Sequence, residues 1–377
     1  MVEDLRVLNE LAIKYQALTA SIRVDQYEVP LNLPDEARQT AAAYEAGASY
    51  QPSFAFPSVD PTALMELASF VRELDCSSSP WLQPMKVTLR FMMNTLADSV
   101  THDPMAVTTR TTAMFGGLSR ARLDRARDIL NQPYTPTGED PEFDAQEASA
   151  IVGQALDRVG LNDWTALVES RMNAMMDVSG ERRELRIRQG TRLGRTAMAR
   201  LLVHEVGCHV FRSASGSRQP IRLLGFGLGD YLTTEEGLAC YQEEETGLDD
   251  PTDSRRLALR YLAAGLALER GFFDVYQELR RYSDHDQAFE TTARAKRGIS
   301  DTSQPGCHMK DKVYFEGIDL VSDHLKNNPD DLAVLYTGKI SLGMLPLVKK
   351  ALRQGGLIPA VFSPDLLPRL LQALPRH

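Results

Sequence analysis

Two imidazoles and a carboxylate lie together in His204-Glu205-Val206-Gly207-Cys208-His209, and two further carboxylates, Glu235 and Glu236, follow downstream. A catalytic zinc ion takes three protein ligands and keeps a fourth position open for water. Two histidines and a distant glutamate meet that requirement. The run from Arg195 to Arg212 is otherwise apolar on nearly every side (Ala197, Met198, Leu201, Leu202, Val203, Val206, Val210, Phe211), which is the pattern of a buried helix. Two imidazoles and a carboxylate buried without partners would cost on the order of several kcal/mol, and a metal ion removes that cost. The plain alternative is a pair of core histidines satisfied by protein neighbours.

The spacing adds a structural condition. In H-E-x-x-H the histidines are four apart, about 40° off one line on an α-helix, whereas five apart they diverge by about 140°. A regular helix would not aim both at one ion. One inserted residue of π type restores the alignment, and Gly207 makes the distortion cheaper, so an irregularity is expected between Val206 and Cys208. Glu205, next to the first histidine, is placed to act as general base.

The third ligand is expected from a second helix. Thr233 has the position of an N-cap with Glu236 at capping-box spacing, which gives Glu236 a structural reading as a capping partner and Glu235 one as a surface charge. Gly237-Leu238-Ala239 makes the next turn small and apolar, as close approach to another helix requires, and Glu236 is preferred over Glu235. Cys208 and Cys240 read as packing residues, because a thiolate ligand would close an open site.

Around this stretch the pattern is mostly helical. Helices are expected at residues 4–22 and 35–47, then in runs from Thr62 to Asn131 broken at Ser77-Ser78-Ser79-Pro80, Asp103-Pro104 and Gly116-Gly117. The proline-rich stretch 132–141 sets an expected boundary, dividing the chain into a helical N-terminal region (1–132), a catalytic domain (133–355) and a C-terminal tail (356–377). Within the second part we expect a helix at 144–159, a strand or helix start at Trp164–Val168 and a helical run over Arg171–Met176. Glu184-Leu185-Arg186-Ile187-Arg188 alternates apolar and charged residues as a half-buried edge strand would. Helices are expected over 255–282, 284–297 and 332–352; 313–325 fits strand or helix. The fold class is α+β, mostly helical, with a small sheet.

Composition sets outer limits. With 377 residues the chain can bury a core unaided. Its 43% hydrophobic and 25% charged residues are ordinary for a soluble globular protein. A net charge of −9 argues against nucleic acid or an anionic membrane as partner. Four scattered cysteines signal no disulfide framework, no stretch approaches a membrane span, and the N-terminus lacks a signal-peptide core. A cytoplasmic location is expected.

The central residues resemble the QEGLA-motif family, whose animal members are the microtubule-associated tyrosine carboxypeptidases. The pattern H-E-x-x-x-H, G-x-x-Q-P, T-E-E-G-L-A stands here as His204–His209, Gly216-Ser217-Arg218-Gln219-Pro220 and Thr234-Glu235-Glu236-Gly237-Leu238-Ala239. Weaker matches are Tyr50–Pro57, Val107–Gly116 and Lys310-Asp311 with Tyr314. Cys307-His308-Met309 departs from the family's usual residues before Lys310, as do Phe56, Val107 and Phe115; these departures bear on the substrate pocket, and His308 is a candidate to face it. The resemblance implies a zincin-like, gluzincin-type catalytic domain and a zinc metallopeptidase of carboxypeptidase type. Zinc would be held by His204, His209 and Glu236, Glu205 would be the base, and the substrate would be a peptide or protein C-terminus. Oxyanion donors could come from Tyr231, Tyr241 or Tyr314, and a grip on the terminal carboxylate from Arg186, Arg188, Arg222, Arg297 or, through the family match, Lys310. With no basic extension and an acidic average, microtubule binding is not expected. The alternative is a catalytically silent zinc-binding regulatory or interaction protein, against which the intact Glu205 weighs.

Overall fold

The computed structural model describes residues 2–76, 79–135, 139–172, 174–249 and 251–375. The N-terminal third folds into helices Val2–Ser21, Leu33–Glu45, Pro61–Glu73, Leu82–Asp98, Pro104–Phe115 and Arg120–Asn131. Asp60 and Asp103 cap two of these through the N–H groups of Thr62 and Ala106, each with proline at the first helical position. Gly116, at φ 80°, ends the fifth. Ser77 and Ser78 of one expected break, and 136–138 of the expected boundary stretch, lie outside the described residues.

Asp144 and Glu147 form a capping box that opens helix Ala145–Arg158. Five short strands flank and follow it: β1 (Phe143–Asp144), β2 (Thr165–Glu169), β3 (Met176–Ser179), β4 (Glu184–Arg188) and β5 (Arg192–Leu193). β1 and β5 pair antiparallel, while β2, β4 and β3 form one sheet in that order, β2 parallel and β3 antiparallel to β4. Two expectations are corrected here. β4 is the central strand, not an edge, because the charged face of its alternation is buried: Arg186 donates to both carboxylate oxygens of Asp177 on β3, at 2.7 Å each. Among Arg171–Met176 the described residues are not helical, and Met176 opens β3.

The histidine stretch is one continuous helical rod of changing pitch: α-helical over Arg195–Leu201, π-helical over Leu202–Val210 and α-helical again over Phe211–Ser217. The expected irregularity thus extends over nine residues. Tyr336 Oη donates to the Gly207 carbonyl at 3.0 Å, and a Cβ on Gly207 would lie 2.3 Å from Leu367 Cδ2. Gly207 therefore admits the C-terminal segment as well as easing the π winding. That segment, expected as a simple tail, carries a short helix, Leu367–Leu371, packed against the π segment. Gln219 fastens it further by exchanging two hydrogen bonds with the backbone of Ile358, both at 2.9 Å.

The second motif helix runs from Tyr231 to Glu245. Its N-cap is Asp230 and not Thr233, and the hydroxyl of Thr234 instead accepts the Leu342 N–H at 3.0 Å. This helix lies along Lys312–Asn327 so closely that a Cβ on Gly237 would sit 2.2 Å from the Gly317 carbonyl oxygen. The expected helix over 255–282 is two, Pro251–Ala267 and Phe272–Leu279; 284–297 contains His285–Ala295; 332–352 is split into Asp331–Leu335 and Leu345–Arg353.

Two apolar clusters form the core. One joins Leu8, Leu67 and Met85 to Leu202, Phe211 and Leu370, and the other joins Phe54 and Phe115 to Leu262, Phe272 and Phe315. Both draw on residues from either side of position 132. No helix among the described residues is long and apolar enough to cross a membrane.

Candidate metal centre

The π winding brings the two imidazoles together, with ring centroids 4.8 Å apart and planes at 86°. Glu236 reaches between them from the second motif helix, its Oε2 lying 3.4 Å from Nε2 of His204 and 3.4 Å from Nε2 of His209. One ligand atom from each of these three residues lies within 4.8 Å of the other two. Glu236 Oε2 is buried and makes no hydrogen bond. An unbonded carboxylate oxygen facing two imidazole nitrogens in a buried place is costly without a cation, and this donor set suits zinc.

The outward nitrogens of both rings are fixed by carboxylates. His204 Nδ1 lies 2.5 Å from Glu243 Oε1, and His209 Nδ1 lies 2.9 Å from Glu235 Oε1. A carboxylate only accepts, so each Nδ1 carries a proton, and once the ring is neutral, as metal ligation requires, each Nε2 presents a lone pair. Glu235 is itself held by the fully buried Arg212 and by Lys339, at 3.4 Å. Arg212 also donates to the carbonyls of Leu335 (2.9 Å) and Ile340 (2.7 Å). Burial would raise the Glu235 carboxyl, but Arg212, Lys339 and His209 bring it down to about 2. Glu235 is thus committed to support, and Glu236 is the carboxylate that faces both Nε2 atoms. Cys240 also gathers near His204 and Glu243. In that grouping His204 Nδ1 is already bonded to Glu243, and burial pushes the Cys240 thiol well up.

Burial alone would push the imidazoles down; carboxylates outweigh it. The neighbouring carboxylates of Glu236 and Glu243 raise His204 to about 9, and Glu236 leads in raising His209 well above its ordinary value. Without metal the centre therefore stores protons. Glu205 is buried, and that burial raises its carboxyl against the pull of the two imidazoles.

A cavity of about 290 Å³ opens onto His204, Glu205, His209 and Glu236. Its walls include Arg186, Tyr231, Lys310 and Tyr314, so most of the residues expected at the substrate share a cavity with the candidate metal ligands. Arg222 is not among the lining residues; it lies in a short 3₁₀ turn, its N–H bonded to the Asn9 side chain. Tyr241 and Arg188 also lie off this cavity, Arg188 pairing with Glu290 at 3.2 Å. His308 is buried behind the wall: its Nδ1 accepts the Lys310 N–H at 3.3 Å and its Nε2 lies 3.5 Å from Glu28. Arg297 lines the cavity with Lys310, its Nε making no hydrogen bond. Both cations are lowered, first by burial and next by a neighbouring guanidinium.

Several contributors escape a sequence reading. Glu243 had a signal, because Glu236, Cys240 and Glu243 stand at i, i+4 and i+7 on one helix face. Arg212, Arg294, Lys339 and Asp177 arrive from separate elements and had none.

The family model described as microtubule-associated tyrosine carboxypeptidase matches residues 45–376. Microtubule-associated tyrosine carboxypeptidase 1 of Mus musculus is 36% identical over 146 residues, covering 37% of this chain and 31% of the relative. The Homo sapiens protein of that name is also 36% identical over 146 residues, 37% of this chain and 30% of its own length. The putative tyrosine carboxypeptidase MATCAP2 of Homo sapiens is 35% identical over 123 residues, 31% of this chain and 23% of its own length. The matched segments thus span less than a third of these curated relatives.

Proposed function

The chain belongs to the microtubule-associated tyrosine carboxypeptidase family, and from that premise we propose that it is a zinc-dependent metallopeptidase that shortens peptides or proteins at their C-termini. The observation that carries this reading is Glu236 Oε2, unbonded between two imidazole nitrogens and beside the buried Glu205. We read the arrangement of small sheet and paired motif helices as zincin-like, with His204, His209 and Glu236 as ligands. A zinc ion there would polarise the scissile carbonyl and acidify a bound water.

The remaining work falls to side chains. Glu205 takes a proton on its carboxylate as the nucleophile adds and passes it to the departing amine; its raised carboxyl suits a group that must hold that proton between the two transfers. Tyr231 is pushed up to about 12, mainly by burial, and Tyr314 is raised for the same first reason, so both keep O–H donors for the oxyanion. Lys310 and Arg297 are the cations suited to the substrate's terminal carboxylate. Arg186, anchored on Asp177, lines the cavity as a guanidinium suited to a substrate carbonyl. β3, which pairs with β4 alone among the described strands, offers its other edge to an extended peptide. Arg222, which does not line the cavity, is left out of this reading.

The test is metal analysis combined with mass spectrometry of a peptide library digested by wild type and Glu205→Gln. Single-residue shortening at C-termini is expected, with zinc retained and turnover lowered by about 10²- to 10⁴-fold in the variant. Undiminished cleavage by Glu205→Gln overturns the mechanism. Internal cuts would identify an endopeptidase, and bound zinc without any cuts a silent zinc-binding protein.

A further inference from the structure

Beside the metal cavity lies a second depression of about 450 Å³, with a different character. Its walls are mainly apolar: Val29, Leu31, Leu33, Ala37, Met172 and Phe289. They come from three places, the turn before helix Leu33–Glu45 with its first turn, the segment after β2, and helix His285–Ala295. Leu31, 54% exposed, stands on its rim. The groove adjoins the metal cavity, with Val29, Arg171, Met172 and Arg294 lining both.

β4 gives the offset between the two. Arg186 lines the metal cavity and Arg188 the groove. Two residues along a strand point to the same face and lie roughly 7 Å apart. That is the repeat at which side chains of an extended peptide recur on one side. An extended peptide that runs through the metal cavity alongside β4 would carry a neighbouring side chain towards the groove.

We propose that this groove is a specificity subsite of the peptidase, taking a bulky apolar side chain (Leu, Ile, Met or Phe) of the peptide substrate. The inference rests on the peptidase reading above and deepens it by naming a substrate class. The metal cavity, rich in charge, supplies catalysis and the grip on the terminus. The groove supplies selection by burial of apolar surface.

The experiment is a positional-scanning library of C-terminally free peptides, digested by wild type, Ala37→Trp and Leu31→Asp. Ala37 is half-buried on the groove wall, so an indole there takes up groove space, and Leu31→Asp, at an exposed rim position, is the second variant should Ala37→Trp disturb the packing beneath it. At one substrate position, wild type should prefer bulky apolar residues over glycine by about tenfold or more in kcat/KM. Both variants should lose that preference, read as a fall of the apolar-to-glycine ratio of kcat/KM to about one. Cleavage with no apolar preference, or a preference that survives both substitutions, overturns the subsite and leaves the peptidase reading standing. Should no peptide be cleaved, affinity of fluorescent apolar and glycine peptides for zinc-loaded Glu205→Gln decides. A tenfold preference abolished by Ala37→Trp supports the subsite, and equal binding overturns it.

Discussion

Replacing Glu243 by glutamine tests the support of the metal centre without touching its proposed ligands. In the structure Glu243 Oε1 receives the His204 Nδ1 proton at 2.5 Å. Glutamine keeps the shape and an accepting oxygen but removes the charge. Hydrogen bonds to charged groups contribute about 1.5–3 kcal/mol and neutral ones about 0.5–1.5 kcal/mol. The difference, roughly 1–1.5 kcal/mol, corresponds to about a tenfold weaker zinc affinity, at the lower end of the range for outer partners of metal-bound histidines. Arg200 loses its 3.6 Å neighbour but keeps Asp253 at 3.0 Å, so the fold should hold. Zinc affinity is measured by competition with a chromogenic chelator, with Glu244→Gln as an outward control and Cys240→Ala as a second comparison. Both comparisons should match wild type. Unchanged affinity in Glu243→Gln refutes the supporting role. A loss as deep as that of His204→Ala, together with weakening in Cys240→Ala, shows instead that the ion sits at the Nδ1 side of His204.

Metal uptake should be coupled to proton release. His204 is raised to about 9 and His209 well above its ordinary value in the metal-free fold, whereas ligation requires neutral imidazoles. Zinc affinity should therefore fall as pH drops below about 9, and calorimetry in buffers of different ionisation enthalpy should count protons released at pH 7; none released refutes this. Gly237→Ala places a methyl carbon against the Gly317 carbonyl and should destabilise by about 1–3 kcal/mol in denaturant titration; wild-type stability means the helices separate freely. Lys310→Ala should raise KM for peptides with free C-termini and leave unchanged the weak cleavage of C-terminally amidated ones. Equal effects on both place Lys310 outside the terminal grip.

The residues with a chemical signature were legible from sequence, and so was the need for π winding, because helical geometry leaves few ways for histidines five apart to face one point. The helical N-terminal third was legible from periodicity and breakers. What failed was whatever depended on a distant partner. The alternation of β4 reads as one wet face until Asp177 and Asp25 are seen around Arg186. Thr233 has the composition of a cap, yet Asp230 starts the helix and Leu342 occupies Thr234. The run 255–282 is periodic throughout, but Gly271 lies where a Cβ would meet the Ser303 carbonyl at 2.6 Å, and the chain turns there. Arg212 and Lys339 serve the site from remote positions that no local pattern marks.

The glycine contact between Gly237 and Gly317 has a consequence for measurement of length. Glu236 precedes one of these glycines, and Tyr314 and Lys310 precede the other on the helix and the 3₁₀ turn that leads into it. Backbone touches backbone at the crossing, so no flexible side chain intervenes between the two rods. On the proposed reading, one rod carries a group that holds the ion and the other a group that holds the end of the substrate. The gap between them then acts as a fixed gauge, and the number of residues removed per cut is set by main-chain geometry.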